Sequence, residues 1–449
     1  MNKYIEKVLN ETNEKNKNEK EFLQTVYEVL TSLTPIIEEK KEYEKEAILE
    51  RIVEPERVIE FRVPWEADDK KVYVNRGYRV QFNSAIGPYK GGIRFSKTVN
   101  LSIIKFLGFE QIFKNSLTTM PIGGGKGGSD FDPKGKSDRE IMRFCQSFMK
   151  ELYRHIGANV DCPAGDIGVG GREIGYMFGE YRKITGGFSN GALSGKSLNY
   201  GGSLLRPEAT GYGSIYYLEE VLKDKNDDIK NKTIVMSGYG NVAWGIAKKV
   251  KELGGKVVTF SGSDGFVYDK DGLTTDEKIE YIYNMRVKNI GSMEEYAKKY
   301  KAEFYKGKKP WGIKADIYMP AATQNEVGES EAKEIINNNC KYYLEVSNMP
   351  TTNEAIEILK EAKILVAPSK AVNAGGVAVS ALEMSQNAEK LSWSEEEVDN
   401  KLKQIMKNIY NNSKKAAEKY NLGYDLIKGA NIAGFEKVAD SMLMQGING

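Results

Sequence analysis

The sequence predicts an α/β protein of two domains, a mixed α/β N-terminal domain and a doubly wound, parallel-sheet C-terminal domain. Two observations carry this prediction. A chain of 449 residues is longer than one hydrophobic core usually serves. From about residue 202 onward, short apolar segments alternate with helical patterns, which is typical of a parallel sheet covered by helices on both faces.

Five short apolar segments are the predicted strands of the C-terminal domain. They lie at residues 233–237, 256–260, 315–319, 342–346 and 364–367. A long helical pattern over 394–420 closes this domain. The glycine- and serine-rich segment 186–203 predicts the boundary. We therefore expect residues 1–201 to form the first domain and 202–424 the second, with 425–449 returning to the first.

Two patterns place elements in the N-terminal half. Alternate apolar residues predict a half-buried strand from residue 72 to 82, with the even positions facing the core. A helix is predicted over about 100–117. Gln111 and Lys114 lie three residues apart in it, so both side chains point to the same side.

Composition excludes several classes of protein. The chain has 65 basic and 63 acidic residues and a net charge of +2, so nothing points to nucleic acid or a membrane as the main partner. No apolar run approaches membrane-spanning length. Three widely spaced cysteines without a Cys-x-x-Cys motif favour a reducing, cytoplasmic setting with no metal site. The only histidine is His155, so acid–base chemistry is expected from lysine and aspartate.

A glycine turn follows the first strand of the C-terminal domain. Gly238-Tyr239-Gly240-Asn241-Val242-Ala243 lies between this strand and a helix, as in a Rossmann-like dinucleotide-binding domain. The pyrophosphate would lie at the helix N-terminus, with Gly238, Gly240, Asn241 and Val242 as cofactor-binding residues. The alternative is a tight turn without a ligand. Asp264 follows the second strand and would bind the ribose hydroxyls of NAD, although NADP stays possible.

Three lysines and one aspartate stand out in the first half. Lys126 lies within Gly123-Gly124-Gly125-Lys126-Gly127-Gly128, and Asp166 lies within Pro163-Ala164-Gly165-Asp166. Lys90 and Lys114 are the other two cations. If these groups converge, they suit a dicarboxylate substrate, and mutual repulsion lowers the pKa of at least one lysine. The alternative for the glycine segment is a flexible surface turn.

These segments resemble one family from end to end. Together with Arg206-Pro207-Glu208-Ala209-Thr210-Gly211 and Asn373-Ala374-Gly375-Gly376-Val377, they look like the hexameric bacterial glutamate dehydrogenases. The resemblance implies reversible oxidative deamination of L-glutamate to 2-oxoglutarate and ammonium, with hydride transfer to NAD in an interdomain cleft. It also implies a homohexamer.

The resemblance implies a role for each matching residue. Lys126 is the expected catalytic lysine and Asp166 the expected proton carrier. Lys114 and Gln111 would bind the α-carboxylate, and Lys90 and Ser380 the distal carboxylate. Further residues are expected at the substrate or the nicotinamide: Gly165, Thr210, Asn348 and Asn373. Ser194 departs from the threonine more common in the family but keeps the hydroxyl group.

Two other functions stay open at this point. An NAD-dependent dehydrogenase of apolar amino acids shares the glycine–lysine segment and the Pro-Ala-Gly-Asp motif, but it replaces the distal-carboxylate pair with apolar residues. A glutamate dehydrogenase-like regulatory binding protein would have no physical need for Lys126 and Asp166. Trp244 and Gly262 resemble the NAD-using members of the family.

Overall fold

Five strands form the sheet of the N-terminal domain in the computed structural model, which describes residues 2–288 and 290–447. The strands are β1 (Arg57–Glu66), β2 (Val72–Asn83), β3 (Tyr89–Phe95), β4 (Gly123–Ser129) and β5 (Asp161–Gly165). Their order across the sheet is β1-β2-β4-β3-β5, with β1, β2 and β4 antiparallel neighbours and β3 parallel to both β4 and β5. The sheet therefore contains both parallel and antiparallel strand pairs, in a half where the sequence predicts a mixture of helices and strands.

Eight helices accompany this sheet within the described residues. They are α1 (Lys3–Lys15), α2 (Lys20–Ser32), α3 (Thr34–Glu39), α4 (Glu42–Lys45), α5 (Ile48–Val53), α6 (Leu101–Leu117), α7 (Asp138–Leu152) and α8 (Gly171–Thr185). The α6 helix matches its prediction, and the side chain of Asn100 caps it by accepting a hydrogen bond from the amide of Ile103. Residues of α2 and α6 share one apolar core with β2, and residues of α7 and α8 share another with β3.

The predicted alternation along β2 is wrong in detail. Val72 and Val74 are exposed, whereas Arg79 and Gln81 are as fully buried as the apolar residues beside them. The strand extends beyond the sheet core at its start. At its end both faces are covered, and the polar odd positions bond to Asp161 of β5. Buried and exposed residues therefore do not alternate at either end of the strand.

The C-terminal domain contains a parallel sheet and a small antiparallel one. Its strands are β6 (Thr233–Met236), β7 (Lys256–Val257), β8 (Thr259–Gly262), β9 (Gly265–Tyr268), β10 (Glu303–Lys306), β11 (Ile317–Met319), β12 (Tyr342–Leu344) and β13 (Leu365–Ala367). The parallel sheet has the order β13-β12-β11-β6-β7, which changes direction around β6 and confirms the doubly wound prediction.

Ten helices belong to this half and the C-terminal segment among the described residues. They are α9 (Ala209–Asp224), α10 (Asn241–Glu252), α11 (Asp276–Val287), α12 (Met293–Tyr300), α13 (Glu329–Asn337), α14 (Asn353–Glu361), α15 (Ser369–Val372), α16 (Gly375–Glu389), α17 (Glu395–Lys419) and α18 (Leu426–Met444). Across residues 2–288 and 290–447, we find no helix with the length and apolar character needed to cross a bilayer.

The predicted second strand, residues 256–260, is split in the structure. Only β7 joins the parallel sheet, while β8 pairs with β9 in the antiparallel sheet β10-β9-β8. The two-residue turn between β8 and β9 holds Ser263 and Asp264, and Gly265 after it has a φ of 143° that favours glycine. Asp264 therefore lies in a hairpin turn rather than at the end of a parallel strand.

The C-terminal helix α18 contacts both halves of the chain. It packs along α17, and the hydroxyl of Ser116 on α6 donates to the Gly434 carbonyl over 2.9 Å. Asn431 donates to the hydroxyl of Ser32 on α2 over 2.9 Å. Residues 448 and 449, the end of the segment expected to return to the first domain, lie outside the described residues.

The crossing of α9 and α16 depends on glycine. A Cβ atom on Gly375 would overlap the carbonyl oxygen of Ala209 and lie 3.0 Å from the Cα of Gly213. Because both neighbours are backbone atoms, the helices themselves would have to separate. The start of α16 is thereby held against α9, next to Asn373.

We expect Gly375→Ala to lower the free energy of unfolding by about 2 kcal/mol, since overpacking of two helix backbones costs that order of energy. Urea-induced unfolding followed by circular dichroism would measure it. Gly179→Ala on α8 is the control, because its Cβ meets no atom within 4 Å. That variant should be neutral or slightly more stable, and equal losses in both variants would contradict the packing argument.

Candidate active site

The glycine segment around Lys126 is a buried strand, not the flexible surface turn that the sequence left as an alternative. It forms β4, between β2 and β3, and every residue from Gly123 to Ser129 is buried. Cβ atoms on Gly124 and Gly128 would press on Ile112 and Ile104 of α6 at 2.7 Å and 2.9 Å. The glycines therefore let α6 lie directly on the strand.

Gly108 occupies the middle of this contact and makes room for Lys126. A Cβ at Gly108 would lie 3.6 Å from the Cβ of Lys126. Ile104, Gly108 and Ile112 are spaced one helical turn apart, so they face Gly128, Lys126 and Gly124 in turn. Lys126 is therefore the one long side chain of β4 that extends into the space below α6.

Lys126 meets Asp166 at the C-terminal end of β5. Its Nζ lies 3.1 Å from Asp166 Oδ2, and Arg94 Nε donates to the same oxygen over 2.9 Å. Burial lowers the pKa of Lys126, and the nearby Arg94 lowers it further, although Asp166 opposes both. Burial acts to raise the pKa of Asp166, but Lys126 and Arg94 outweigh it and hold this pKa well below its usual range.

Gln111 and Lys114 lie on the same side of α6, as predicted, and both line the cavity that contains Lys126. Gln111 Nε2 donates to Asn115 Oδ1 over 2.6 Å, and Asn115 in turn donates to the Lys90 carbonyl over 3.0 Å. Burial and the charge of Lys126 lower the pKa of Lys114 to about 8. Lys114 Nζ has no hydrogen bond or ion pair to another residue in the described part of the chain.

Lys90 and Ser380 both line the cavity, but they do not bond to each other. Lys90 Nζ donates to Ser194 Oγ over 2.7 Å and to the Cys162 carbonyl over 2.9 Å. Ser380 Oγ instead accepts a hydrogen bond from Arg206 Nε over 2.9 Å. Burial lowers the pKa of the fully buried Lys90 to about 8.

The predicted residues fall into one large group and one outlying group. A cavity of about 410 Å³ lies between the domains and collects Lys90, Gln111, Lys114, Lys126, Gly165, Asp166, Thr210, Val242, Asn348, Asn373 and Ser380. The residues outside its lining are Gly238, Gly240, Asn241 and Asp264. The first three form the turn at the start of α10, and Asp264 is exposed in the β8–β9 turn.

The turn between β6 and α10 has the shape that a dinucleotide needs. Gly238 has a φ of 84° and donates its amide hydrogen to Ser261 Oγ. Gly240 precedes the first residue of α10, and a Cβ there would meet nothing within 4 Å. Backbone amides at this helix N-terminus are thus open to a bound pyrophosphate.

One amide inside the cavity has an unused acceptor. Asn373 Nδ2 donates to the Val346 carbonyl and to Asn348 Oδ1, each over 3.0 Å. Its Oδ1 is buried and has no hydrogen-bond partner within the described part of the chain. A carboxamide that enters this side of the cavity would meet that oxygen, so the residues present fit a nicotinamide ring.

Comparison with known proteins agrees with this geometry. The family model described as Glutamate/Leucine/Phenylalanine/Valine dehydrogenase matches residues 201–446, and the model described as Glu/Leu/Phe/Val dehydrogenase, dimerisation domain, matches residues 55–183. The chain belongs to the Glu/Leu/Phe/Val dehydrogenase family. The two matches together span most of both domains and the whole cavity lining.

Individual relatives are similar over their full length. The chain is 63% identical to the NAD-specific glutamate dehydrogenase of Clostridium symbiosum over 448 residues, which is 100% of both proteins. It is 54% identical to the NADP-specific glutamate dehydrogenase of Haemophilus influenzae over 95% of each chain. A solved glutamate dehydrogenase structure superposes with a TM-score of 0.98 at 62% identity, covering 99% of each chain.

Sequence reasoning missed two cations at this dehydrogenase site. Arg94 pairs with Asp166, and Arg206 bonds to Ser380. Arg94 follows Lys90 by four residues and Arg206 begins one of the family motifs, but their partners Asp166 and Ser380 are distant in the chain, and only the fold brings each pair together at the cavity. No group of three or more histidine, cysteine, aspartate or glutamate side chains within residues 2–288 and 290–447 could hold a metal ion.

Lys114→Met should stabilise the protein at neutral pH. A pKa of about 8 against an ordinary 10.5 means that the charged form costs stability below about pH 8, and that the cost disappears above about pH 10.5. We expect the free energy of unfolding to rise by about 2–3 kcal/mol near pH 7. Denaturant unfolding at pH 7 and at about pH 10 would measure this difference.

The control for this prediction is Lys97→Met, which replaces an exposed lysine. Its effect should stay within about 0.5 kcal/mol at both pH values. A gain in Lys114→Met that is equally large at both pH values would show that apolar packing, not removal of the buried charge, causes the stabilisation.

Proposed function

We propose that this protein catalyses the reversible oxidative deamination of L-glutamate, the glutamate dehydrogenase reaction. L-Glutamate and water give 2-oxoglutarate and ammonium, while a hydride passes to NAD. The supporting observation is the charge of the cavity. Five of its described lining residues are cationic, namely Lys90, Arg94, Lys114, Lys126 and Arg206, whereas Asp166 is the only acidic one among them. A small dicarboxylate supplies the missing negative charge.

The two carboxylates of the substrate bind at opposite ends of the cavity. Lys114 and Gln111 of α6 bind the α-carboxylate. Lys90 and Ser380 bind the distal carboxylate, and Arg206 supports Ser380. Because both carboxylates of the substrate are held, its Cα–H bond points in one direction and the reacting atoms keep one orientation.

Lys126 and Asp166 carry the proton transfers. Lys126 in its neutral form accepts a proton from the water that attacks the imino carbon, and burial favours that neutral form by lowering the pKa of the lysine. Asp166 moves protons to and from the substrate nitrogen, and Gly165 beside it belongs to the substrate-binding residues. Arg94 holds the Asp166 carboxylate in place over 2.9 Å.

NAD, when bound, accepts or returns the hydride. Gly238, Gly240, Asn241 and Val242 would hold its pyrophosphate at the start of α10, and Asp264 would bind the ribose of the adenosine half. Thr210, Asn348 and Asn373 would flank the nicotinamide, and the unpaired Asn373 Oδ1 would be an acceptor for its carboxamide. The carboxylate of Asp264 disfavours a 2′-phosphate, so we expect NAD to be preferred over NADP.

The cavity speaks against the two other functions. Lys90 and Ser380 are buried in the pocket, and an apolar amino acid would displace water from the Lys90 ammonium without offering it a negative charge. A regulatory binding protein would have no use for a lysine with a lowered pKa beside an aspartate. Dehydrogenase activity toward glutamate accounts for both features.

We also propose the organisation that the sequence predicts. Residues 1–201 with 425–449 form the substrate-binding and oligomerisation domain, and 202–424 form the dinucleotide-binding domain. Self-association as a homohexamer is supported by the matched dimerisation-domain model over residues 55–183. A cytoplasmic location is supported by the three cysteines, which are all free and buried.

An assay with purified protein tests the function directly. With 2-oxoglutarate and ammonium, we expect the protein to oxidise NADH and to use NADPH poorly, as followed by nicotinamide absorbance. Asp166→Ser should reduce kcat by roughly 1000-fold, the usual scale for losing a group that transfers protons. In the opposite direction, with an amino acid as substrate, turnover of leucine should not be comparable to turnover of glutamate.

Each outcome separates the candidates. Preference for NADPH would keep the reaction and overturn the role of Asp264. Faster turnover of leucine than of glutamate would favour the apolar amino-acid dehydrogenase. Absence of turnover with all substrates would favour the binding protein.

The distal-carboxylate pocket has its own test. In Lys90→Leu with Ser380→Val, we expect kcat/KM for glutamate to fall by more than about 100-fold, because both polar partners of a desolvated carboxylate are lost. Norvaline, which ends in a methyl group, is the control substrate. Its kcat/KM should hold or rise, and an equal loss for both substrates would show that the distal carboxylate binds elsewhere.

A further inference from the structure

The helix α16 has one face that reaches from the cavity to the segment between the domains. Gly376 and Ser380 line the cavity, and Glu383 and Asn387 follow on the same face after one and two further turns. The segment that they meet, residues 193–203, carries Ser194, the partner of Lys90. A single helix face therefore contacts both halves of the distal-carboxylate pocket.

Glu383 is the centre of these contacts. Its Oε1 lies 2.5 Å from Lys196 Nζ, and its Oε2 accepts a hydrogen bond from the Gly195 amide over 2.9 Å. Lys196 Nζ also donates to the Leu193 carbonyl and to Asn387 Oδ1. These bonds fix the backbone on both sides of Ser194, whose own amide donates to the Pro163 carbonyl over 2.9 Å.

The carboxylate of Glu383 is fully buried, and Lys196 is not the only cation near it. The exposed fraction of Glu383 is 0%, and its charge acts on both Lys90 and Arg206. Burial lowers the pKa of each of these two cations, and Glu383 opposes that lowering. Glu383 does not line the cavity, so it is close enough to act on these charges but does not reach the substrate.

We propose that Glu383 is the positioning residue of the distal-carboxylate pocket. It holds Ser194 beside Lys90 through Gly195 and Lys196, and it is the internal counter-ion of Lys90 and Arg206 before the substrate arrives. This inference rests on the proposed function, since it assumes that the pocket binds the distal carboxylate of glutamate.

The competing possibility is that Glu383 has a purely structural role. A buried ion pair often contributes little net stability, and a neutral replacement can fold as well. If the role of Glu383 is purely structural, removing its charge changes the stability of the protein. It does not change the pH at which the pocket loses affinity for the distal carboxylate. The positioning role and the structural role therefore differ in a pH profile.

The charged groups around Lys90 set the direction of that profile. Glu383 of α16 raises its pKa, while Arg206 and Arg79 of β2 lower it; burial raises the pKa of the nearby Cys162 thiol of β5, which favours its neutral form. Asp161 pairs with Arg79, and Lys196 pairs with Glu383. Lys114 and Lys126 line the same cavity. Loss of the Glu383 charge thus leaves Lys90 among cations, so its ammonium form persists only to a lower pH.

The experiment compares Glu383→Gln with Glu389→Gln, the same change at an exposed position of the same helix. Steady-state kinetics give KM and kcat for glutamate against pH, and calorimetry gives the dissociation constant of glutarate, a dicarboxylate without the amino group. In Glu383→Gln, we expect KM to rise about 10-fold at pH 8, with glutarate binding weakened alike, and the rise in KM to begin about one pH unit lower. KM for NAD should not change.

A second variant covers the case in which Glu383→Gln fails to fold. Lys196→Met with Glu383→Gln removes both buried charges and leaves neither unpaired, yet Lys90 and Arg206 still lose their counter-ion. An unchanged pH profile and unchanged glutarate binding in either folded variant would overturn the proposal. A wild-type protein that binds no glutarate and turns over no glutamate would overturn the proposed function itself, and this inference with it.

Discussion

The contact between α6 and β4 is the constraint on which the rest of the site depends. Five glycines and one lysine precede Ser129 in the strand, and the helix lies against them without intervening side chains. Water is thereby excluded from the only long side chain on that strand. Desolvation is the largest influence on the pKa of Lys126, so the chemistry of the amine follows from backbone packing. A side chain added at Gly124 or Gly128 would separate the helix from the strand and let water reach the amine.

An imbalance of charge follows from this packing. The cavity gathers several cations around one carboxylate, and burial lowers the pKa of Lys90 and Lys114 to about 8 each. The two carboxylates of the proposed substrate would stabilise these two ammonium groups on binding and raise their pKa in the complex. Lys126 gains less, because its carboxylate partner is already present at 3.1 Å. In the proposed mechanism, substrate binding would therefore favour the charged form of Lys90 and Lys114 more than that of Lys126, the lysine that has to become neutral.

The sequence was sufficient for the fold class, and 11 of the 15 predicted site residues line the cavity. Glycine contexts identified Lys126 and Asp166, because a bare backbone beside a charged residue is typical of a place where a small ligand approaches closely. The sequence was insufficient for contacts between residues that are distant in the chain. Arg79 and Gln81 are buried against Asp161, 82 and 80 residues away, so the alternation along β2 gave no sign of them. The partner of Ser380 is Arg206, 174 residues away, and only the crossing of α16 and α9 brings them together.

Lys126 and Asp166 shift each other's pKa, and this coupling resolves an apparent contradiction in their proposed roles. A carboxylate whose pKa is held low is a weak base, which does not suit a proton carrier. Much of that low pKa comes from the positive charge of Lys126, however. When Lys126 loses its proton, half of the cationic pair around Asp166 disappears, and the carboxylate becomes a stronger base. In the proposed mechanism, the step that prepares Lys126 to activate water would therefore also prepare Asp166 to accept a proton from the substrate nitrogen. Arg94 keeps the carboxylate in position throughout, because it does not lose its charge.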